Sequence, residues 1–129
     1  DRLRSRGLGD VYKRQVIYFT AFQLFDILSK GVFEKDADAI AAHQNIFDCD
    51  LLIIDDLGTE LSNSFTTSQL FLCVNERILR RKSTIISTNL NLEQIAEIYS
   101  ERTLSRISSN YSFIKLFGDD IRIKKRLSK

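Results

Sequence analysis

The chain lacks methionine altogether, carries two cysteines and one histidine, and has no apolar run approaching the roughly 18 residues that a membrane helix requires. With no signal-peptide pattern either, the sequence predicts a soluble, cytoplasmic protein with reduced thiols and no membrane partner. Cys49 and Cys73 fall in a predicted buried strand and a predicted helix, away from metal-ligand spacing, and His43 has no cluster around it. That excludes a Cys/His metal centre and leaves these residues as core or helix-surface groups. There is no internal repeat, low-complexity segment or interdomain linker, so 129 residues with 43% hydrophobic and 28% charged content predict one domain with a real core. The absent methionine fits a chain whose true start lies upstream.

The net charge of +2 is unevenly placed. Asp1 to Gln15 holds five basic and two acidic residues, which leaves the remainder at −1 and gives no electrostatic warrant for nucleic-acid binding. Those fifteen residues show neither helical nor strand periodicity and stop where a clean strand, Val16-Ile17-Tyr18-Phe19, begins. The string from Arg4 to Gln15 resembles translated adapter sequence found at the ends of assembled environmental reads. Residues 1–15 are therefore set aside as a non-native segment, the competing reading being a basic arm for nucleic acid.

Cys49-Asp50-Leu51-Leu52-Ile53-Ile54-Asp55-Asp56-Leu57-Gly58 sets four apolar residues directly before two carboxylates. A strand buried on both faces reads as a continuous apolar run, and acids at its carboxyl end emerge where open α/β sheets bind ligands. This is the form of a Walker B segment, in which Asp55 helps hold Mg²⁺ through its water shell and Asp56 polarises the attacking water. The plainer alternative is a buried strand ending in an acidic turn. A second β-branched run, Ser83-Thr84-Ile85-Ile86-Ser87-Thr88-Asn89, also ends in a polar residue, and an Asn at the tip of a neighbouring parallel strand orients the same water. Glu101-Arg102-Thr103-Leu104-Ser105-Arg106-Ile107 is a short amphipathic helix with two arginines, whose planar, always-ionised forks suit charge on a transferring phosphate. The plainer reading of that pair is surface pairing with Glu97 or Glu101.

In this order and spacing the three segments resemble the AAA+ ATPases of the DnaC/DnaI helicase-loader and IstB transposition-helper group, over roughly Val16 to Arg126. The resemblance implies ATP and Mg²⁺ as cofactors, Asp55 as the Mg²⁺-associated acid, Asp56 as the catalytic acid and Asn89 as sensor 1. It makes Arg106 the finger that reaches a neighbouring subunit's ATP, and it places a sensor-2-like arginine at Arg122, in Gly118-Asp119-Asp120-Ile121-Arg122. The partners it implies are a replicative DNA helicase, single-stranded DNA and further copies of the chain; the transposition-helper branch would instead pair with a transposase on duplex DNA. The compact ending after Gly118 to Arg122 and the segment Leu57-Gly58-Thr59-Glu60 look more like the loader branch.

A site of this type also needs the cradle Gly-x-x-x-x-Gly-Lys-Ser/Thr, whose backbone N–H groups and lysine hold the β- and γ-phosphates. Nothing in the chain matches it, since Gly7-Leu8-Gly9 lacks the Lys-Ser/Thr pair and a preceding apolar strand. The expected fold is therefore α/β, a parallel sheet flanked by helices over residues 16–129, forming a partial P-loop NTPase (AAA+) domain without its first strand and Walker A loop. The intact parent would be an ATPase. The chain as written is expected to be inactive, or a non-catalytic fragment that binds no nucleotide.

Strand and helix alternate along the chain, which predicts the parallel sheet. Val16 to Phe19 is the first strand; Phe22 to Leu28 is a short helix with Phe22, Phe25, Ile27 and Leu28 facing inward, broken at Gly31. A helix over 37–47 packs beneath the acidic strand. Ser64 through Lys82 is the longest helix, with Leu70, Phe71, Val74, Ile78 and Leu79 on one stripe. Its last turn gathers Arg77, Arg80, Arg81 and Lys82, read as dipole complement and solvation or, more sharply, as a contact for DNA or a helicase. Asn91 and Gln94 make a capping-box start for a helix to Tyr99 that turns Leu92, Ile95 and Ile98 or Tyr99 to the core. Ser100 caps the arginine-bearing helix, and the alternation in Ser112-Phe113-Ile114-Lys115-Leu116-Phe117 predicts a last strand.

Overall fold

β-Branched runs and amphipathic segments alternate in the chain, and the computed structural model, which describes residues 14–60 and 62–116, folds them into a layered α/β unit. The elements are β1 (Val16–Thr20), α1 (Ala21–Phe33), α2 (Ala37–Asp48), β2 (Leu51–Leu57), α3 (Ser64–Leu79), β3 (Ser83–Thr88), α4 (Leu92–Tyr99) and α5 (Glu101–Asn110). The three strands are parallel in the order β1-β2-β3, with Val16 opposite Leu51 and Leu51 opposite Ser83. Right-handed crossovers that always step to the same side place their helices on one face of the sheet. Reciprocal capping boxes at Thr20/Gln23, Asn63/Thr66 and Asn91/Gln94 start α1, α3 and α4, fixing the chain direction as it leaves the sheet's carboxyl edge.

The core lies between that face and the helices. Leu52 and Ile54 of β2 are fully buried against Leu24 and Leu28 of α1 and Leu70, Cys73 and Val74 of α3 within one apolar cluster. The apolar run of β2 predicts burial on both faces, but among the described residues only one is covered. Leu51 and Ile53 are half-buried, while Val16, Tyr18 and Ile85 on the same face are more than half exposed.

Several local expectations are corrected. Helix α1 runs through Gly31 to Phe33, because a glycine there admits the His43 ring of α2; a Cβ on Gly31 would lie 2.5 Å from the His43 Cβ. Phe22 and Leu92 point outward rather than into the core, and Leu79 is likewise exposed. Helix α2 packs chiefly against α1 and α3, with Ile46 as its buried residue. Cys49 is the C-cap of α2 rather than part of the strand, and burial raises its thiol pKa; burial pushes Cys73 up to about 12. Both are free, protonated packing groups. Residues 112–116 form no strand, and Phe113, Ile114 and Leu116 are exposed: the alternation is present, but the segment pairs with neither outer strand, and an unpaired strand is not stable.

The basic cluster after α3 divides. Arg80 pairs with Asp48 and, at 3.6 Å, with Glu76, and Lys82 lies 3.8 Å from Asp50. Arg77 is instead fully buried, with neutral hydrogen-bond partners. Its Nε donates to Thr84 Oγ1 (2.9 Å), Nη1 to the Ile46 carbonyl (2.7 Å) and to Cys49 Sγ (3.4 Å), and Nη2 to the Ser83 carbonyl (2.7 Å). The rigid fork thus joins the end of α2 to the start of β3 from within α3. Replacing Arg77 by Met strands two buried carbonyls, which is expected to lower unfolding free energy by about 3 kcal/mol. Arg77→Lys should recover less than half of that, since one ammonium cannot span the four acceptors. Urea denaturation measures both, and a loss below about 1 kcal/mol for Arg77→Met would show that the clamp is dispensable.

His43 supplies a pH dependence. Its Nε2 is buried without a partner among the described residues, its ring lies against Phe47, and burial lowers its pKa from the usual 6.5. The unfolded chain therefore takes up this proton at higher pH than the fold does. The stability contributed is complete above pH 6.5 and is lost as pH falls through the lowered folded value. Denaturation midpoints should drop between pH 7 and pH 5.5, and His43→Gln should flatten that slope; an equally steep slope in His43→Gln would assign it to other groups.

Candidate active site

The carboxyl edge of the sheet brings together the acids of β2 and the end of β3. Strand register explains the first contact. Tyr18 lies opposite Ile53, so Asp55 is its diagonal neighbour on the uncovered face, within reach of a long side chain. The Tyr18 hydroxyl donates to Asp55 Oδ2, and the Ser87 side chain of β3 adds to the stabilisation of the same carboxylate's charge. The bond from Tyr18 holds the Asp55 pKa below the ordinary carboxylate range; partial desolvation opposes it, and Ser87 and the Asp56 N–H add to it. Asp55 is thus an ionised group of β2 held by Tyr18 of β1, with Ser87 of β3 favouring its charged form. The same contact raises the Tyr18 pKa and keeps its hydroxyl a donor.

Asp56 owes its position to a break in the ladder. Ile54 pairs with Ile86, but Leu57 pairs with Thr88, so β2 uses three steps where β3 uses two. The extra residue is a β-bulge, a device that re-aims side chains at sheet edges. Asp56 sits in it at φ 56°, a left-handed conformation that Asp tolerates better than most residues. The turn closes behind it, with the Thr59 N–H (3.3 Å) and the Thr59 hydroxyl (2.8 Å) both donating to the Asp56 carbonyl. The Asp56 side chain is exposed at this edge.

Asn89 follows the last residue of β3 directly, and it too is exposed. The Thr88 hydroxyl donates to the Leu57 carbonyl (2.6 Å) and accepts from the Leu90 N–H (3.0 Å), fixing the strand end beside the bulge. Leu90 then packs so closely on Gly58, at φ 106°, that a Cβ there would lie 2.7 Å from Leu90 Cδ1. Asp55, Asp56 and Asn89 accordingly share one edge.

Arg106 does not lie on that edge. It is half-buried on α5, which packs on α4 and α3, and its Nε is buried without a hydrogen-bond partner among the described residues. The expected surface pairing of Arg102 is replaced by stacking, its guanidinium carbon standing 3.9 Å from the centre of the Phe71 ring of α3. Arg122 lies outside the described residues. Residues that the sequence reading missed are Tyr18, Ser87, Thr88 and Glu60. The first two carry a period-2 signal that places them on the face of Asp55, but only once the register between strands is known.

A parallel sheet with acids in a bulge at the carboxyl edge and helices crossing over one face is a partial P-loop NTPase fold. A family profile described as IstB-like ATP binding protein matches residues 11–128, and the chain belongs to that family. Among solved structures it is similar to the DnaC helicase loader, at 21% identity and TM-score 0.66 over 77% of this chain and 59% of that one. A DNA replication initiation factor matches at 21% identity and TM-score 0.66 over 88% of this chain and 36% of that one. Domain III of the Thermotoga maritima replication initiation protein DnaA matches at 20% identity and TM-score 0.63, over 77% and 40%. At these identities the likeness establishes the fold. The chain spans about three fifths of the DnaC chain and less of the other two. No curated protein matches it. Among the described residues no helix is long and apolar enough to cross a membrane.

The bulge makes a prediction independent of any ligand. Asp56→Val places a β-branched residue at φ 56° and is expected to destabilise by about 1–2 kcal/mol, whereas Asp56→Gly should be neutral or slightly stabilising. Equal urea midpoints for the two variants would show that the left-handed conformation is not held in solution.

Proposed function

We propose that the chain is the metal- and water-handling part of an ATPase site in a DnaC-like helicase loader acting in DNA replication. The observation that carries this reading is the bulge, which sets an ionised Asp55 beside an exposed Asp56 one strand away from Asn89. Among the described residues there is no group of three or more acidic, His or Cys side chains able to hold a metal ion by itself. One carboxylate completed by water and nucleotide phosphates is the donor set Mg²⁺ uses at such sites, so Asp55 fits the ion. When bound, Mg²⁺ supplies neutralisation of charge on the β- and γ-phosphates.

In this reading Asp55 carries the ion's water shell, Asp56 accepts proton density from the attacking water, and Asn89 orients that water. Arg106, on a helix away from the edge, completes the site of a neighbouring copy, and Arg122 has the role of a sensor-2-like, nucleotide-binding arginine. None of the described residues forms a phosphate cradle. A P-loop elsewhere in the parent protein would supply it. Likeness in fold to the DnaC helicase loader and to a replication initiator DnaA bound to AMPPCP and single-stranded DNA favours a replicative helicase and single-stranded DNA as partners. Membership of the IstB-like ATP binding family, with the resemblance to IstB transposition helpers, keeps the transposition-helper role as the second reading.

The test joins the chain behind a P-loop-bearing segment of the same family. Arg106→Ala should bind ATP and lose hydrolysis by about 10³-fold, Asp56→Asn should lose about 10²-fold, and mixing the two should restore part of the activity. Restoration is expected because mixed assemblies place an intact Asp56 site against an intact Arg106. Parental hydrolysis by Asp56→Asn, or no recovery in complexes verified to hold both variants, would overturn the assignment of the corresponding residue.

A further inference from the structure

We propose that Glu60 is a positioning residue whose carboxylate ties the turn carrying Asp56 to the helix pair carrying Arg106. The tie is a matter of hydrogen-bond geometry. The roles it would connect rest on the ATPase reading above.

Glu60 uses its two oxygens in different directions. Oε1 accepts the Gly58 N–H at 2.9 Å, two residues beyond Asp56, and Oε2 accepts the hydroxyl of Tyr99. The bonds from Thr59 to the Asp56 carbonyl close the turn locally, whereas Glu60 carries a contact out of it. Tyr99 is fully buried and ends α4, and burial, reinforced by Glu60, raises its phenol pKa so that it remains a donor. Its backbone carbonyl accepts the Thr103 hydroxyl at 3.3 Å. Ser100, at φ 109°, caps α5 through its side chain on the Thr103 N–H at 3.2 Å. Arg106 stands one helical turn further along α5. The chain of contacts from Asp56 to Arg106 therefore runs through one half-buried carboxylate and one fully buried phenol.

A half-buried carboxylate bridging two donors that lie 41 residues apart in sequence, at Gly58 and Tyr99, orders both ends at once. Displacement of α5 by a neighbouring molecule would then be felt at the Gly58 amide, and so at the backbone that presents Asp56.

Amide hydrogen exchange on the full 129-residue chain tests this without nucleotide, so its failure and that of the ATPase reading are separable. Glu60→Ala should speed exchange at Gly58 about tenfold relative to the Leu52 and Ile54 amides, which report overall stability. Tyr99→Phe, which leaves Glu60 in place, should speed Gly58 severalfold on the same relative scale and shift the Thr103 and Arg106 resonances. Glu60→Gln should restore slow exchange, because its carbonyl accepts from Gly58 while its amide donates to the Tyr99 oxygen. Gly58 exchange unchanged by Tyr99→Phe, exchange that rises equally at Gly58, Leu52 and Ile54, or failure of Glu60→Gln to restore it would each overturn the proposal.

Discussion

The buried guanidinium of Arg77 is the interaction on which the arrangement of the sheet depends. A charge removed from water is costly unless every donor is used, and this one finds its acceptors in the last turn of α2 and the first residues of β3. Those acceptors are the points at which the chain enters β2 and β3. Fixing where two parallel strands begin also fixes which of their residues emerge at the far end. The edge that presents Asp55, Asp56 and Asn89 is thus set by a clamp at the opposite end of the sheet.

At that edge the fold departs from regularity in a limited and informative way. An unbroken β2 would send Asp55 and Asp56 to opposite faces. The bulge removes this constraint at the price of one residue in the left-handed region, and Asp is among the few non-glycine types that accept it. Asp55 remains on the uncovered face, where hydroxyls from both neighbouring strands stabilise its charged form. Asp56 stands free at the rim. Two adjacent acids so acquire different surroundings, which is the usual route by which neighbouring carboxylates come to serve different roles.

Much of this was legible in the sequence, for definable reasons. The continuous apolar run of Leu51 to Ile54 and the β-branched run of Ser83 to Thr88 bury enough surface locally to announce strands, and the Asn91–Gln94 pair announces a helix start because a capping box is a contact between near neighbours. Gly31 misled because glycine has two uses, breaking a helix and admitting a neighbour, and only the position of His43 tells them apart. Arg77 misled because its sequence neighbours Arg80, Arg81 and Lys82 are solvated, and nothing local separates the one that turns inward. The alternation of Ser112 to Phe117 misled because strand pattern is a statement about one segment, whereas pairing needs a second.

Composition, periodicity and spacing by themselves determined the α/β class, the family resemblance and the placing of Asp55, Asp56 and Asn89 at strand ends, since each of these depends on residues within a few positions of one another. The tertiary structure alone decided that one face of the sheet is covered, that Tyr18 holds Asp55, that Asp56 occupies a bulge and that Glu60 meets Tyr99. Each of those facts depends on the register between strands or on the packing of helices far apart in the chain. Such contacts arise from mutual burial and hydrogen-bond satisfaction across the whole domain, and no local stretch of residues carries that information.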